Sequence, residues 1–362
     1  MFKTFLRSAL YLVSLGLALH LILPQIPGIK ESLALISNSS RPLLVAALLA
    51  YLTSQVCYAE LLGRSAGGAA GYGVSARRRR RFGIGRWFVL RLTLTEHGAS
   101  RVLPGGGSSA AAVTYASLKS RGIKPARVGL CVATITVLVY GTLGIIFLTS
   151  LLYLILGQNL GRAYSAASFL AFILTLCFIF LGYLAYRRPL RTRRRLTSFL
   201  YALGRLFLGR FFLRRWSRRR TELWAARVIV RLQMEVRALR EQLLYHPVAA
   251  LKLEALALGY WGLDALCLII IFGAFGVDAD PVELLVAYGV ATTIGSLPLT
   301  PGGLGVLEAT MLGTLTLLGV GSEAAIPILG YRLFNFWLPI PLAIILYPTL
   351  QFGSAKRLRK KG

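Results

Sequence analysis

The chain has 362 residues, 56% of them hydrophobic and only 15% charged, with a mean hydropathy of +0.65, which predicts a polytopic α-helical membrane protein. The net charge of +29 argues for anionic lipid rather than nucleic acid, because the arginines concentrate in loops between apolar runs. Four cysteines without metal-ligand spacing and three histidines argue against disulfides, zinc and haem, so we expect no cofactor and no metal site.

The chain opens with two apolar runs that are both expected to cross the membrane. The first, about Phe5–Leu23, lacks the small-residue cleavage site of a signal peptide, so we expect it to be retained as a span. The second covers about Pro42–Leu62. The loop after it contains the run Arg77–Arg81, which the positive-inside rule places in the cytoplasm, together with the N-terminus.

The next apolar stretch, Trp87–Ser120, is interrupted near its middle by Pro104, Gly105 and Gly106. Basic residues flank both ends of the stretch, which predicts that both ends lie on the cytoplasmic side. We therefore expect it to enter the membrane and turn back as a re-entrant helical hairpin.

Four more spans and a basic insertion follow from the apolar runs and the charges between them. The spans are about Val128–Leu156, Tyr164–Tyr186, Val248–Val277 and Ile326–Phe352, and the last leads into a basic, cytoplasmic C-terminus. The insertion, residues 187–246, interleaves arginines with Leu, Phe and Trp. This pattern predicts amphipathic helices that bind anionic lipid at the inner leaflet.

A second interrupted stretch lies before the last span. Its two apolar runs, Val282–Leu297 and Leu304–Val320, are each ~16 residues or ~24 Å of helix, shorter than the ~20 residues needed to cross a bilayer. They are joined through S-L-P-L-T-P-G-G-L-G-V-L-E, residues Ser296–Glu308. This predicts a second re-entrant hairpin, whose broken backbone must be buried in protein or line a polar cavity.

The second break is also a candidate binding site. Thr300 is expected to cap the second half-helix with Pro301 in its first turn, and the glycines let a phosphate approach the N-terminal amides. An alternative of equal weight is that Glu308 only offsets the helix dipole and the glycines only permit close packing.

The order of these elements predicts an inverted-topology repeat. Residues 1–160 form the first membrane repeat, with its hairpin at 87–120, and residues 161–362 form the second, with its hairpin at 282–320 and the insertion 187–246. The predicted fold is all-α, with about six full spans and two oppositely oriented re-entrant hairpins that meet near the midplane, as in many transporters.

Two motifs near the C-terminus resemble a known family. The segment P-G-G-L-G-V-L-E (Pro301–Glu308), followed by Y-R-L-F-N-F-W-L-P (Tyr331–Pro339), is similar to the lysylphosphatidylglycerol synthase transmembrane-region family, which includes the flippase half of a bacterial peptide-resistance factor. The resemblance implies movement of a phospholipid, aminoacylated or not, or of a lipid-linked group between leaflets. Bifunctional members append a large aminoacyl-transferase domain, whereas only a short basic tail follows Phe352, so we expect no lipid synthesis.

Ionisable groups at bilayer depth are the main candidates for substrate contact, because each is costly unless it is paired or hydrated. The residues predicted to bind substrate are these groups and the two glycine turns: Glu96, Arg101, Pro104, Gly105, Gly106, Asp264, Pro301, Gly302, Gly303, Gly305, Glu308 and Arg332. Glu308 and Arg332 are expected to pair, either as a structural strut or as a clamp on a lipid headgroup. His97 is expected to be hydrogen-bonded structure more often than a proton relay.

Three functions compete on this sequence. The first is a lipid translocator that carries headgroups through a polar groove between the hairpins. The second is an intramembrane transferase, or a subunit of one, with Glu308 or Asp264 as base. The third is a scaffold that binds anionic lipid through the arginine-rich insertion. We expect a prokaryotic-type plasma membrane, phospholipid partners and no nucleic acid, and a homo-oligomer is compatible with the family.

Overall fold

A computed structural model describes residues 39–68, 84–103, 107–156, 168–177, 247–297 and 300–358. Within these ranges the chain is helical and has no strand, which confirms the all-α prediction. The helices, numbered in chain order, are α1 Arg41–Gly68, α2 Arg86–Val102, α3 Gly107–Ser120, α4 Pro125–Leu156, α5 Ser168–Cys177, α6 Pro247–Ala274, α7 Pro281–Ser296, α8 Val306–Leu317, α9 Ala325–Arg332 and α10 Pro339–Leu358.

Four stretches of the described chain are long and apolar enough to cross a membrane: Arg41–Ala66, Arg127–Leu156, Pro247–Ala274 and Ala325–Leu350. Each coincides with one of the predicted spans, so these four predictions are confirmed as apolar helices of spanning length. The predicted span Phe5–Leu23, the insertion 187–246 and most of the span Tyr164–Tyr186 lie outside the described residues.

Both interrupted stretches fold as two short helices that pack against each other, α2 with α3 and α7 with α8. The start of α7 follows from its sequence, because Pro281 occupies the first turn and the carboxylate of Asp280 accepts a hydrogen bond of 2.7 Å from the amide of Val282. The breaks predicted from the Pro and Gly residues are therefore real breaks. Pro104, Gly105 and Gly106 lie outside the described residues.

The turn between α7 and α8 differs from its prediction. Residues Pro301–Gly303 form a single 3₁₀ turn, and α8 starts only at Val306, after Gly305 at φ 76°. Thr300 does not cap a helix, since its hydroxyl donates to the carbonyl of Leu304 at 2.9 Å. The capping prediction was wrong because it assumed that the α-helix begins directly after Thr300, whereas three glycines with positive φ first reverse the chain.

The elements occur twice in the same order, a long helix, a short pair and a long helix: α1, α2/α3, α4, and then α6, α7/α8, α9/α10. The two sets pack against each other: α2 of the first set contacts α10 of the second, and α7 of the second set contacts α4 of the first. Glycines permit both contacts: a Cβ on Gly98 would overlap Ala343 of α10, and one on Gly289 would overlap Ser150 of α4.

Candidate functional site

Both short helix pairs line one partly open cavity of about 150 Å³. The first pair contributes α2 and α3, the second pair contributes the end of α7, the glycine turn and the start of α8, and the walls are completed by α1, α4, α6 and the α9 to α10 segment. The cavity therefore lies where the two sets of elements meet.

The cavity has an exposed rim and a buried polar interior. Its rim includes Gly107, Tyr140 and Ser296, which are exposed. Its interior includes the side chains of Glu96, which is 2% exposed, and of Asn335, which is 7% exposed. Polar groups are costly to bury without partners, so a recess lined this way is suited to a polar guest.

Arg101, at the C-terminal end of α2, is the cation of this cavity. One terminal nitrogen of its guanidinium donates to Oδ1 of Asn335 at 3.0 Å, whereas its buried Nε has no hydrogen-bond partner in the described chain. The glycine turn lies directly against its backbone: a Cβ on Gly302, whose φ is +59°, would sit 3.0 Å from Cα of Arg101. The second break thus packs on the helix that carries Arg101.

Glu96, one turn and a half before Arg101 on α2, is the acid of the cavity. Its Oε2 accepts a hydrogen bond from the hydroxyl of Thr114 on α3. The hydroxyl of Tyr58, on α1, interacts with the same carboxyl group. Its Oε1 is buried and makes no hydrogen bond within the described ranges. We call Glu96 and Arg101 the cavity pair, although the structure gives no ion pair between them.

Asp264 lies behind the cavity at the centre of a hydrogen-bond network. Its carboxylate is 1% exposed and accepts from the hydroxyls of Tyr288 at 2.8 Å and Tyr331 at 2.7 Å, and from the amide nitrogen of Asn335 at 3.1 and 3.2 Å. Since that nitrogen donates to Asp264, the amide oxygen of Asn335 must face Arg101. Asp264 therefore orients the group that holds Arg101.

Glu308 and Arg332 form the ion pair that the sequence predicts. Nε of Arg332 donates to Oε1 of Glu308 at 2.6 Å, and the two side chains are 2% and 22% exposed respectively. The guanidinium also lies 4.5 Å from the ring centroid of Phe336 and donates to the carbonyl of Gly302 at 3.4 Å. This buried ion pair does not line the cavity and braces the glycine turn from behind.

His97 lines the cavity but is held by its neighbours. Its Nδ1 lies 2.9 Å from the carbonyl oxygen of Thr93 and its Nε2 lies 3.1 Å from the hydroxyl of Tyr260. The ring packs edge-on against Tyr58, with the centroids 4.7 Å apart. These contacts agree with the structural role expected for this histidine. Within the described ranges, no group of three or more His, Cys, Asp or Glu residues is placed to hold a metal ion.

The comparison with protein families agrees with this architecture. The model of the lysylphosphatidylglycerol synthase transmembrane region matches residues 9–343, nearly the whole chain. The chain belongs to this family. The resemblance of the two C-terminal motifs to it is thereby confirmed.

Other members of this membrane family are similar over shorter stretches. Three are UPF0104 membrane proteins of Methanothermobacter thermautotrophicus, with 30% identity over 102 residues, 37% over 68 and 33% over 91. These segments cover 28%, 19% and 25% of this chain, and they span 30%, 19% and 27% of the relatives.

In this family member, the predicted site residues divide into two groups. Four of those described line the cavity, namely Glu96, Arg101, Gly302 and Gly303. Five do not, namely Asp264, Pro301, Gly305, Glu308 and Arg332, and they lie around or behind the glycine turn. Sequence reasoning missed Asn335 and Thr114, although Asn335 is a polar residue inside the motif Tyr331–Pro339 of an apolar span, which is a usable signal.

Proposed function

We propose that this protein moves a membrane lipid between leaflets, with the headgroup in the cavity and the acyl chains in the bilayer. The observation that carries the proposal is that both broken helix pairs line the same partly open cavity, which contains an acid and a base that do not pair with each other. A fixed structural core has no use for such a recess, because unpaired ionisable groups at bilayer depth are costly.

The outer surface of the protein supports the lipid part of the proposal. Large apolar side chains are exposed along the long helices, among them Leu49 on α1, Ile145 on α4, Leu251 on α6 and Ile344 on α10. Exposed apolar surface of this extent belongs in hydrocarbon. A lipid at the rim of the cavity could keep its acyl chains on this surface while its headgroup enters the polar interior.

The proposed membrane topology has about six spans, two re-entrant hairpins of opposite direction and an inverted repeat of residues 1–160 and 161–362. It is supported by the repeated element order and by the reciprocal packing of α2 on α10 and of α7 on α4. We place both termini in the cytoplasm and the protein in a prokaryotic-type plasma membrane, where the insertion 187–246 would bind anionic lipid. Labelling of single cysteines from either side of the membrane tests this topology.

The contacts of the candidate bases favour translocation over group transfer. Both oxygens of Asp264 accept hydrogen bonds from neighbouring side chains, and Glu308 is in an ion pair outside the cavity. Neither carboxylate lines the cavity, so neither is placed to take a proton from a substrate there. Mass spectrometry of membrane lipids, with and without the protein, is expected to show unaltered headgroups.

Reconstitution of the full chain in liposomes tests the proposal. Lipids labelled on an acyl chain keep their headgroups intact, and dithionite bleaches only the label in the outer leaflet, so transbilayer movement is measured directly. We expect rates above those of empty vesicles, and a loss of about tenfold or more for Arg101→Gln, which removes a charge-assisted contact to phosphate. Rates equal to those of empty vesicles across a broad lipid panel would reject translocation.

The matched control for that experiment is Arg91→Gln. Arg91 lies on the same helix as Arg101, but its Nε donates to the carbonyl of Trp87 at 3.2 Å and it does not line the cavity. The substitution removes the same charge from α2 and should leave the translocation rate unchanged.

A further inference from the structure

The cavity pair is an acidic and a basic side chain that the structure keeps apart. Glu96 and Arg101 both line the cavity, yet neither belongs to an ion pair among the described residues. Five residues of helix separate them by about 7.5 Å along the axis and place them on different sides of α2, unlike the spacings of three or four that allow pairing. Each side chain therefore lacks a partner of opposite charge, which a guest could supply.

The chemistry of the two side chains indicates which guest that is. On Arg101, the buried Nε has no hydrogen-bond partner, and a planar guanidinium is well suited to a phosphate. On Glu96, which lines the cavity, Oε2 accepts from Thr114 and the Tyr58 hydroxyl interacts with the same carboxyl group, so the carboxylate is fixed in place. A carboxylate so placed accepts hydrogen bonds from a primary ammonium, which has N–H donors, but not from a quaternary one.

The size of the cavity limits the guest further. A closed apolar cavity of ~150 Å³ is known to bind benzene, so the enclosed part of this partly open cavity, about 150 Å³, has room for a headgroup of roughly eight non-hydrogen atoms, such as phosphoethanolamine. A lysylated glycerol headgroup is far larger. The enclosed part of the cavity thus suits a compact headgroup, whereas an aminoacylated one would extend past the open rim.

We propose that the cavity recognises a compact zwitterionic headgroup, a phosphate joined by a short chain to a primary ammonium, with the phosphate at Arg101 and the ammonium at Glu96. The inference deepens the proposed function, on which its transport part rests, whereas its binding part does not require transport. Glu96 and Arg101 are the first and last residues of α2 that line the cavity, so each would bind one end of the same headgroup.

Binding is tested first, on the purified full chain in detergent, by the thermal stabilisation that short-chain lipids produce. We expect phosphatidylethanolamine to bind about tenfold more tightly than phosphatidylcholine or phosphatidylglycerol, as the loss of a charged hydrogen bond implies. Glu96→Gln should remove the preference for ethanolamine over choline, whereas Arg101→Gln should weaken the binding of all three lipids. Arg91→Gln is the control and should change neither.

Other outcomes of the binding experiment overturn the inference. Equal binding of ethanolamine and choline lipids would mean that Glu96 does not bind the ammonium. Tighter binding of lysylphosphatidylglycerol would mean that the cavity accepts a larger headgroup. A preference for ethanolamine that survives Glu96→Gln would place the ammonium elsewhere.

Transport with the same lipids separates this inference from the proposed function. Movement of every lipid at one common rate, together with unselective binding, rejects the headgroup assignment and keeps translocation. Selective binding of the ethanolamine lipid without movement of any lipid keeps the headgroup assignment and rejects translocation. Faster movement of the ethanolamine lipid, lost in Glu96→Gln, supports both.

Discussion

The cavity pair and the buried ion pair contain the same two residue types in opposite situations. Glu308 and Arg332 meet at 2.6 Å in a region that does not line the cavity. Glu96 and Arg101 both line the cavity and are bound to uncharged partners, Thr114 and Asn335. An acid and a base that pair with each other are costly to separate, whereas an acid and a base held apart are available to a ligand.

The glycine turn connects these two pairs. The carbonyl of Gly302 accepts a hydrogen bond from Arg332 at 3.4 Å, and the Cα side of the same residue lies against the backbone of Arg101. The buried ion pair therefore fixes the position of the turn that closes one wall of the cavity. This division of roles can be tested by substitutions that affect stability and transport to different degrees.

The largest effect is expected at Gly302, because it contacts both pairs. Its φ of +59° disfavours any side chain, and a Cβ would lie 2.5 Å from Cε2 of Phe336. Gly302→Val should destabilise the protein by about 4 kcal/mol or more and abolish transport, as measured by thermal unfolding in detergent and by the liposome assay. Gly305→Ala is the control: its φ is +76° but the space around it is open, so it should cost only about 1–2 kcal/mol. Equal losses in the two variants would contradict the packing argument.

The next largest effect on stability is expected for the buried ion pair. Glu308→Leu leaves the guanidinium of Arg332, which is 2% exposed, without its carboxylate, and should cost about 3 kcal/mol in the free energy of unfolding. The double variant Glu308→Leu with Arg332→Met should recover part of this loss, because it removes the orphaned charge as well. Arg101→Gln should instead lower transport with little change in stability. A stability unchanged by Glu308→Leu would show that the pair is not a brace.

An intermediate effect is expected behind the cavity, at Asp264. Asp264→Asn replaces a carboxylate that accepts from Tyr288, Tyr331 and Asn335 by an amide that competes as a donor. The amide of Asn335 then loses its fixed orientation and Arg101 its acceptor, so the translocation rate should fall about tenfold. In the control Tyr288→Phe, Asn335 keeps its contact with Asp264, and the rate should fall much less. If both variants lose transport equally, Asp264 acts on the whole core rather than on Arg101.

Much of the architecture could be predicted from the sequence because its signals are local. The α7 and α8 helices could be placed to within a few residues, since proline and glycine interrupt apolar runs that are too short to span a bilayer. The Glu308–Arg332 ion pair could be proposed because a charge at bilayer depth requires a partner. These features depend on neighbours in the chain or on the membrane as solvent.

The arrangement of the cavity could not be predicted in the same way. Glu96 and Glu308 are both acids in a short helix of a broken pair, and only the packing of α2 against α10 and of α8 against α9 decides which one lines the cavity. Asn335 lies in a π-helical segment, Leu333–Trp337, whose extra residue changes the direction of the side chains, so a helical-wheel argument misplaces it. The contacts that form the cavity join residues far apart in the chain, and Arg101 and Asn335 are more than 200 positions apart. Local sequence patterns do not predict contacts of this kind.

The smallest effect tests whether the carboxylate of the cavity pair is held in position. Thr114→Val keeps the shape of a side chain that is 2% exposed and removes the hydroxyl that donates to Glu96. A lost hydrogen bond of about 1 kcal/mol predicts roughly fivefold weaker binding of phosphatidylethanolamine, with the binding of phosphatidylcholine unchanged, in the thermal-shift titration. Thr134→Val is the control, because the equally buried Thr134 donates only to the carbonyl of Leu130 and does not line the cavity. If both lipids lose the same affinity in Thr114→Val, the hydroxyl supports the α2 to α3 packing and not the ammonium end of the site.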